Sequence, residues 1–237
     1  MTTVAIMQPT YLPYLGYFEL MAQADVFVLL DDVQFERRSW QSRNRIFGAA
    51  GEVMLTVPVK KHAQDTLIRD IEIAYDQPWR EKHLASVRHA YGARPHVGAV
   101  EALLNSAFSA EPSALALLNA HLIEAAAKSV GIDTTIAKAS DLGCGGKRSE
   151  HLLAICRALG ATRYLSTLGS QDYLEADGVF AAAGLPVAYH SYAPTPYPQG
   201  RTDFAPYMAF IDAVANLGWD GLAALQGTTI PPPERAL

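Results

Sequence analysis

Two adjacent carboxylates, Asp31 and Asp32, follow the apolar run Val26-Phe27-Val28-Leu29-Leu30. Neighbouring side chains on a strand point to opposite faces, so at a strand end one of the two is expected to face a cleft. A carboxylate in that position can act as a general base or hold a hydroxyl or a metal. The alternative is a cap, or a partner for the arginines that follow. Arg37, Arg38, Arg43 and Arg45 fall within nine residues, interleaved with Trp40 and Asn44. Guanidinium groups so clustered suit a clamp for phosphate or carboxylate, against the plainer reading of a solvated charged loop. Lys60, Lys61 and His62 would extend the patch.

His83 shares a helical stripe with Trp79, Val87 and Tyr91, so it is expected to face inward. An imidazole titrates near neutrality and could deprotonate an attacking amine, although a satisfied core histidine fits the same spacing. His62, His89, His96, His121, His151 and His190 show no partner spacing and read as surface or structural residues. Gly143-Cys144-Gly145-Gly146-Lys147-Arg148-Ser149 precedes a helix and could cradle an anion on backbone amides. It lacks the GxxxxGK spacing of a phosphate-binding loop. Cys144 there could be a nucleophile or an ordinary thiol. Ser166, Gly169, Asp172 and Tyr173 follow a late strand and suit a phosphate-binding turn, or a tight turn with Asp172 as its cap. Tyr197 and Gln199 sit in a long irregular segment of the kind that forms lids and binding loops.

These residues need a scaffold. Val4–Met7 reads as a buried strand, ended by Pro9 and Pro13. A helix over 14–24 and a strand over 26–30 complete a βαβ unit, which implies a parallel sheet. Residues 53–57 and 67–73 read as further strands, the latter half-exposed. Three helices are expected over 78–91, 99–108 and 113–130. The α/β rhythm then returns, with strands over 134–138, 164–166 and 187–190. Helices are expected over 149–159, 176–183 and 207–217, the last ended by Gly218. The fold class is therefore α/β, a Rossmann-like open and mainly parallel sheet. One domain over 1–227 carries a helical insertion or cap over 75–131, and 228–237 is a flexible Pro-rich tail.

Composition narrows the partners. The 237 residues carry a net charge of −5, which argues against bulk nucleic-acid binding. No apolar stretch approaches a membrane span, and no basic leader precedes the first strand, so a cytoplasmic location is expected. Two cysteines without ligand spacing exclude a disulfide framework and a structural zinc site, and no spacing calls for a metal.

The long motif Ala5-Ile6-Met7-Gln8-Pro9-Thr10-Tyr11-Leu12-Pro13-Tyr14-Leu15-Gly16-Tyr17-Phe18 resembles the opening of the WbqC-like proteins. So does Asp31-Asp32-Val33-Gln34-Phe35 with Trp40 and Arg43-Asn44-Arg45-Ile46. Trp79, Lys82 and His83, then Tyr164-Leu165-Ser166, Gly169, Asp172-Tyr173, Tyr197-Pro198-Gln199 and Ile211-Asp212 continue the likeness. The resemblance implies a bacterial enzyme of surface-polysaccharide, O-antigen or specialised-metabolite biosynthesis. It implies transfer of glycine or another acyl or aminoacyl group to an amine such as an amino sugar. His83, Asp32 and Asp31 would be catalytic. Gln8, Tyr11, Tyr14, Tyr17 and Gln34 would contact substrate, with Arg43, Asn44, Arg45, Lys60 and Lys82 beside them. Ser166, Gly169, Asp172, Tyr173, Tyr197 and Gln199 would complete the contacts. No cofactor is required; a phosphopantetheine carrier thioester could be the donor. Partners would be a nucleotide-sugar or amine substrate and an acyl or peptidyl carrier protein. Tyr14-x-Gly16-Tyr17 also resembles the nucleotidylyltransferase HxGH motif, with tyrosine at both histidine positions. The alternatives are thus a nucleotidyltransferase-like enzyme or a non-catalytic nucleotide- or carrier-binding module.

Overall fold

The computed structural model describes residues 1–48 and 51–229. In chain order it contains β1 (Thr3–Met7), α1 (Leu15–Ala22), β2 (Val26–Leu29), β3 (Arg43–Gly48) and β4 (Gly51–Thr56). Three helices follow: α2 (Trp79–Tyr91), α3 (Val97–Ser109) and α4 (Leu115–Ser129). Then come β5 (Thr135–Lys138), α5 (Ala139–Leu142), α6 (Ser149–Ala158), β6 (Arg163–Thr167), α7 (Gln171–Asp177), α8 (Val179–Ala182), β7 (Val187–His190) and α9 (Phe210–Thr229).

Five strands form one sheet in the order β5-β2-β1-β6-β7, every neighbouring pair parallel. The fold is α/β and Rossmann-like. Parallel strands covered on both faces must be apolar throughout, which is why β1 and β2 are short continuous hydrophobic runs. Alternate residues feed two separate cores. Ala5, Phe27, Leu29 and Leu165 pack with α1, α9 and the three middle helices. Val4, Ile6, Val28 and Tyr164 pack with α6, Leu174 and Phe180. The chain moves outward from β1 to β2 and β5, then crosses back to β6 and β7. The direction reverses between β1 and β6, and ligands of open parallel sheets gather at the carboxyl ends beside such a reversal.

Several local expectations change. Arg43 and Arg45, for which a charged loop is the plainer reading, lie on β3, which pairs antiparallel with β4 as a two-stranded ribbon outside the main sheet. The span 67–73 is a 3₁₀ turn over Ile68–Asp70 flanked by isolated bridges Gln34–Leu67, Val59–Ile73 and Glu72–Ala114. Ile68, Ile71 and Ile73 are all buried, so the alternating pattern reports a core-facing connector rather than a sheet strand. The helix read over 176–183 is two pieces, because Gly178 takes a left-handed φ of 64° between α7 and α8. Gly218 (φ 71°, ψ 178°) is non-helical, so α9 is two helices joined at a kink: the first ends at this glycine, as expected, and a second follows it. The helix runs on to Thr229, so residues 228 and 229, read as tail, are helical; the rest of that segment, 230–237, lies outside the described residues.

The helices α2, α3 and α4 share their buried residues with α1, α9 and the sheet in a single cluster. Asn119 on α4 is fully buried and ties this layer to the loops that follow β1 and precede β3. Its Nδ2 donates to the carbonyls of Pro9 (3.0 Å) and Gln41 (2.8 Å). Among the described residues no helix is long and apolar enough to cross a membrane. Replacing Asn119 by alanine leaves two buried carbonyls without this donor. The Asn119→Ala variant is expected to lose about 2–4 kcal/mol of stability, read as a fall in the urea midpoint at unchanged m-value.

Candidate functional site

Two aspartates at the end of β2 have different jobs. Asp31 is buried, and both of its oxygens are used: Oδ1 accepts from the Ser140 backbone N–H (2.9 Å) and Oδ2 from Ser140 Oγ (2.8 Å). It clips the end of β2 to the start of α5. Asp32 points to the other side and lies 3.0 Å through Oδ1 from His151 Nε2. Its Oδ2 has no partner among the described residues. The second ring nitrogen of His151, Nδ1, is 3.1 Å from the Gly145 carbonyl. Both partners of the imidazole are acceptors. A neutral ring can donate to only one of them, whereas the imidazolium donates to both.

The glycine-rich loop explains how His151 is placed. Gly146 has φ 100°, and a Cβ on it would come within 2.9 Å of His151 N and 3.0 Å of the Glu150 carbonyl carbon. Only glycine lets the loop fold so tightly onto the first turn of α6. Ser149 Oγ donates to Asp177 Oδ2, tying that turn to the end of α7. Of the pair, His151 lines a mostly apolar hollow of about 400 Å³, together with Leu30, Val33, Arg148, Leu152 and Tyr173. Sequence reading missed His151. Its one local signal is its place directly after the Gly-rich turn; its partner is 119 residues away.

His83 is elsewhere. It is buried against Trp79 and Phe108, with ring centroids at 5.2 and 6.3 Å. Nδ1 is 2.9 Å from Tyr11 Oη and Nε2 is 3.1 Å from the Thr56 carbonyl. One neutral tautomer satisfies both: Nε2–H donates to Thr56, and Nδ1 accepts from the tyrosine. Burial lowers the His83 pKa to about 4, the Thr56 carbonyl opposing weakly. His83 lines none of the cavities described here, and the structure does not bring it to a common hollow with the two aspartates.

The arginines separate into two places. Arg37, Arg38 and Arg43 line one hollow of about 410 Å³ together with Lys60, Lys61 and His62. Arg45 is ion-paired with Glu52 (3.1 Å) and faces a different hollow of about 340 Å³ with Tyr14, Tyr17, Trp40, Asn44 and Tyr207. Asn44 is spent on the backbone, its Nδ2 donating to the Tyr11 and Leu12 carbonyls. Tyr17 is buried and donates to the Gln8 carbonyl (3.2 Å), and burial pushes its phenol well above the ordinary value. Tyr14 packs edge-on against Tyr192 (5.3 Å), and its phenol is likewise raised by burial. Neither brings the positive charge that histidine could at these positions. Gln8 accepts from Gln41 Nε2 (2.9 Å), and exposed Gln34 donates to the Gln64 carbonyl (2.8 Å). Lys82 is exposed on α2.

At the other side of the reversal, Ser166 Oγ is buried between Tyr164 Oη and Ser170 Oγ. Gly169 and Asp172 are exposed, and Tyr173 is the one of this group that reaches the His151 hollow. Tyr197 (2.7 Å) and Gln199 (2.9 Å) donate to Asp212 Oδ2, while Tyr91 donates to Oδ1 (2.8 Å). Burial raises the Asp212 carboxyl, against the pull of these three donors. Cys144 is half-buried beside Leu142, and burial pushes the Cys156 thiol up to about 12. Among the described residues no group of three or more His, Cys, Asp or Glu is placed to hold a metal ion.

Against known proteins, the sequence profile described as the WbqC-like protein family matches residues 8–224. The uncharacterized protein Rv1507c of Mycobacterium tuberculosis is 30% identical over 226 residues, covering 92% of this chain and 95% of its own. No solved structure gives a significant match.

The buried neutral state of His83 has a pH consequence. Its folded pKa of about 4 lies below the ordinary 6.5, so between those values the unfolded chain binds a proton that the native chain does not. Stability contributed by the neutral ring is full above pH 6.5 and is lost as pH falls toward 4. In a His83→Gln variant, stability should fall less steeply over that window, by up to about 1.4 kcal/mol per pH unit. Chemical denaturation at stepped pH reads this directly; parallel curves would contradict it.

Proposed function

The chain belongs to the WbqC-like protein family, and from that premise we propose that it is a transferase passing an acyl or aminoacyl group from a thioester to an amine. The observation that carries this reading is the Asp32–His151 pair at the carboxyl edge of the parallel sheet. A general base needs an unoccupied lone pair within reach of the reacting proton. Asp32 Oδ2 has one, and His151 fixes the other oxygen. His83 has none, so the base role suggested for it by the family likeness passes to Asp32.

In this mechanism Asp32 Oδ2 takes the proton from the attacking amine. The nitrogen lone pair forms the new C–N bond at the thioester carbon, the C–S bond breaks, and the departing thiolate takes up a proton. His151 is the positioning residue. The apolar lining supplied by Leu30, Val33 and Leu152 suits a pantetheine-like arm, with Tyr173 and Arg148 at the rim. The donor class is a phosphopantetheine carrier thioester and the acceptor class an amino sugar, as the family resemblance implies. A nucleotidyltransferase reading fits less well, because Tyr14 and Tyr17 supply no charge for nucleotide phosphates.

The test is to incubate the purified protein with glycyl-loaded carrier protein and a nucleotide-linked amino sugar, following amide formation by mass spectrometry. Asp32→Asn keeps the shape and an acceptor for His151 but removes the basic oxygen. It should lower kcat by about 10²–10⁴-fold with little change in thermal midpoint. Wild-type turnover in that variant, or no transfer across a broad panel of thioesters and amines, would overturn the proposal. Pyrophosphate release from ATP or CTP would favour the nucleotidyl alternative, and ligand-induced stabilisation without any turnover a binding module.

A further inference from the structure

We infer that the hollow between the Phe35–Arg43 segment and the Thr56–His62 segment is a binding site for a diphosphate ester. The observations are a concentration of unpaired cations in a concave space. Five lysines and arginines line it: Arg37, Arg38, Arg43, Lys60 and Lys61. Lys60 is paired with Glu72, which leaves four. Those four have no acidic partner among the described residues, and no acidic side chain lines the hollow. Such a cluster arises in a chain of net charge −5, so it is not the overspill of a basic surface. Like charges held together repel one another, and an anion between them offsets that repulsion.

Two further details mark this segment. Arg43, which lines the hollow, keeps a buried Nε with no hydrogen-bond partner among the described residues, an unmade donor of the kind that calls for an explanation. Arg38 adopts φ 60°, a strained conformation for a residue with a Cβ, and strain of this kind concentrates at ligand clamps. The walls between the cations are Phe35, Val57, Pro58 and Val59, against which the uncharged part of an ester can lie.

Size and charge select the ligand class. A hollow of about 410 Å³ is in the range of small-molecule sites rather than of an extended nucleic-acid track. A phosphate monoester gathers about two negative charges on one phosphorus, whereas a diphosphate spreads its charge over two linked phosphates and so offers two separate contact points to the four unpaired cations. The site also lies close to Asp32. Residues 33–35 are held beside 66–68 by bonds from Phe35 N to Thr66 O and from Ile68 N to Val33 O. Three residues of extended chain span at most about 11 Å. This inference deepens the transferase reading by naming the substrate class held next to the base. The diphosphate could belong to a nucleotide-linked acceptor or to a coenzyme A-type donor.

The experiment is isothermal titration of the full chain with sodium pyrophosphate, orthophosphate, uridine diphosphate and coenzyme A, at low and moderate salt. Pyrophosphate is expected to bind at least about tenfold more tightly than orthophosphate, as two charge-assisted contacts against one. The stronger of the two organic ligands identifies the source of the diphosphate. The double variant Arg38→Ala/Lys61→Ala, changed at exposed side chains, should lose at least about tenfold in pyrophosphate affinity while keeping its thermal midpoint. Lys128→Ala, on the distant α4, should bind as the unchanged protein does. Equal and weak binding of both inorganic anions, or equal losses in the double variant and in Lys128→Ala, would overturn the inference. Binding is read without turnover, so it can fail while amine transfer succeeds, or hold while transfer fails.

Discussion

The clip between Asp31 and Ser140 is the constraint on which the rest of the cleft depends. A parallel strand ends with its last carbonyls and its first loop residues in need of partners. Here one buried carboxylate accepts from both the backbone N–H and the hydroxyl of Ser140, at 2.9 and 2.8 Å. The Asp31 carbonyl in turn accepts from Arg69 N (2.9 Å). Hydrogen bonds to a charged group are worth about 1.5–3 kcal/mol each, enough to fix the chain direction at that point. With Asp31 committed to β5 and α5, the alternation of a strand sends Asp32 the other way, toward α6. The pairing with His151 follows from that geometry and from Gly146, which brings the first turn of α6 close enough.

A second organising feature is the separation of the cationic cluster from the Asp32–His151 pair. The antiparallel ribbon of β3 and β4, with the strand-like connector after it, projects the cations into their own hollow. The hollow beside His151 is mostly apolar. Cations in direct contact with Asp32 would hold its proton off and weaken it as a base. The cations instead line a separate hollow, and Asp32 Oδ2 is left without a partner among the described residues. The tyrosines of the opening motif belong to a third, aromatic region. Tyr14, Tyr192 and Tyr207 pack with ring centroids within 6 Å of one another, Tyr192 edge-on to both others, beside Gly16, where a Cβ would strike Tyr14 and Tyr192 at 2.5 Å. The glycine between the tyrosines is thus required by aromatic packing.

The irregular segment before α9 is held by a buried carboxylate as well. Asp212 collects hydrogen bonds from Tyr91, Tyr197 and Gln199, and Gln199 also pairs with both backbone groups of Ala205 through its own amide. Residues 197–206 are therefore anchored at their middle to α2 and α9. Tyr197 and Gln199, matched to the family pattern, serve this anchorage in the structure, which is a sufficient physical reason for those residue types.

Local pattern determined a good deal. The apolar runs of β1 and β2, the stripe of α2 and the glycine after α4 depend on contacts within a few residues. They place the parallel sheet, the middle helices and the buried face of His83 within a residue or two of where they lie. The cationic character of 37–43 and 60–62 was legible for the same reason, since it needs only composition. What pairs with what was decided by tertiary structure. His83 met Tyr11 and Thr56 instead of Asp32; Arg43 and Arg45 went to different hollows; His151 found its carboxylate across 119 residues. A chain's periodicity fixes which way a side chain points along its own element, but distances between elements are set by how the two cores pack on the opposite faces of one sheet. That packing is a property of the whole chain, and the Asp32–His151 contact exists only once it has formed.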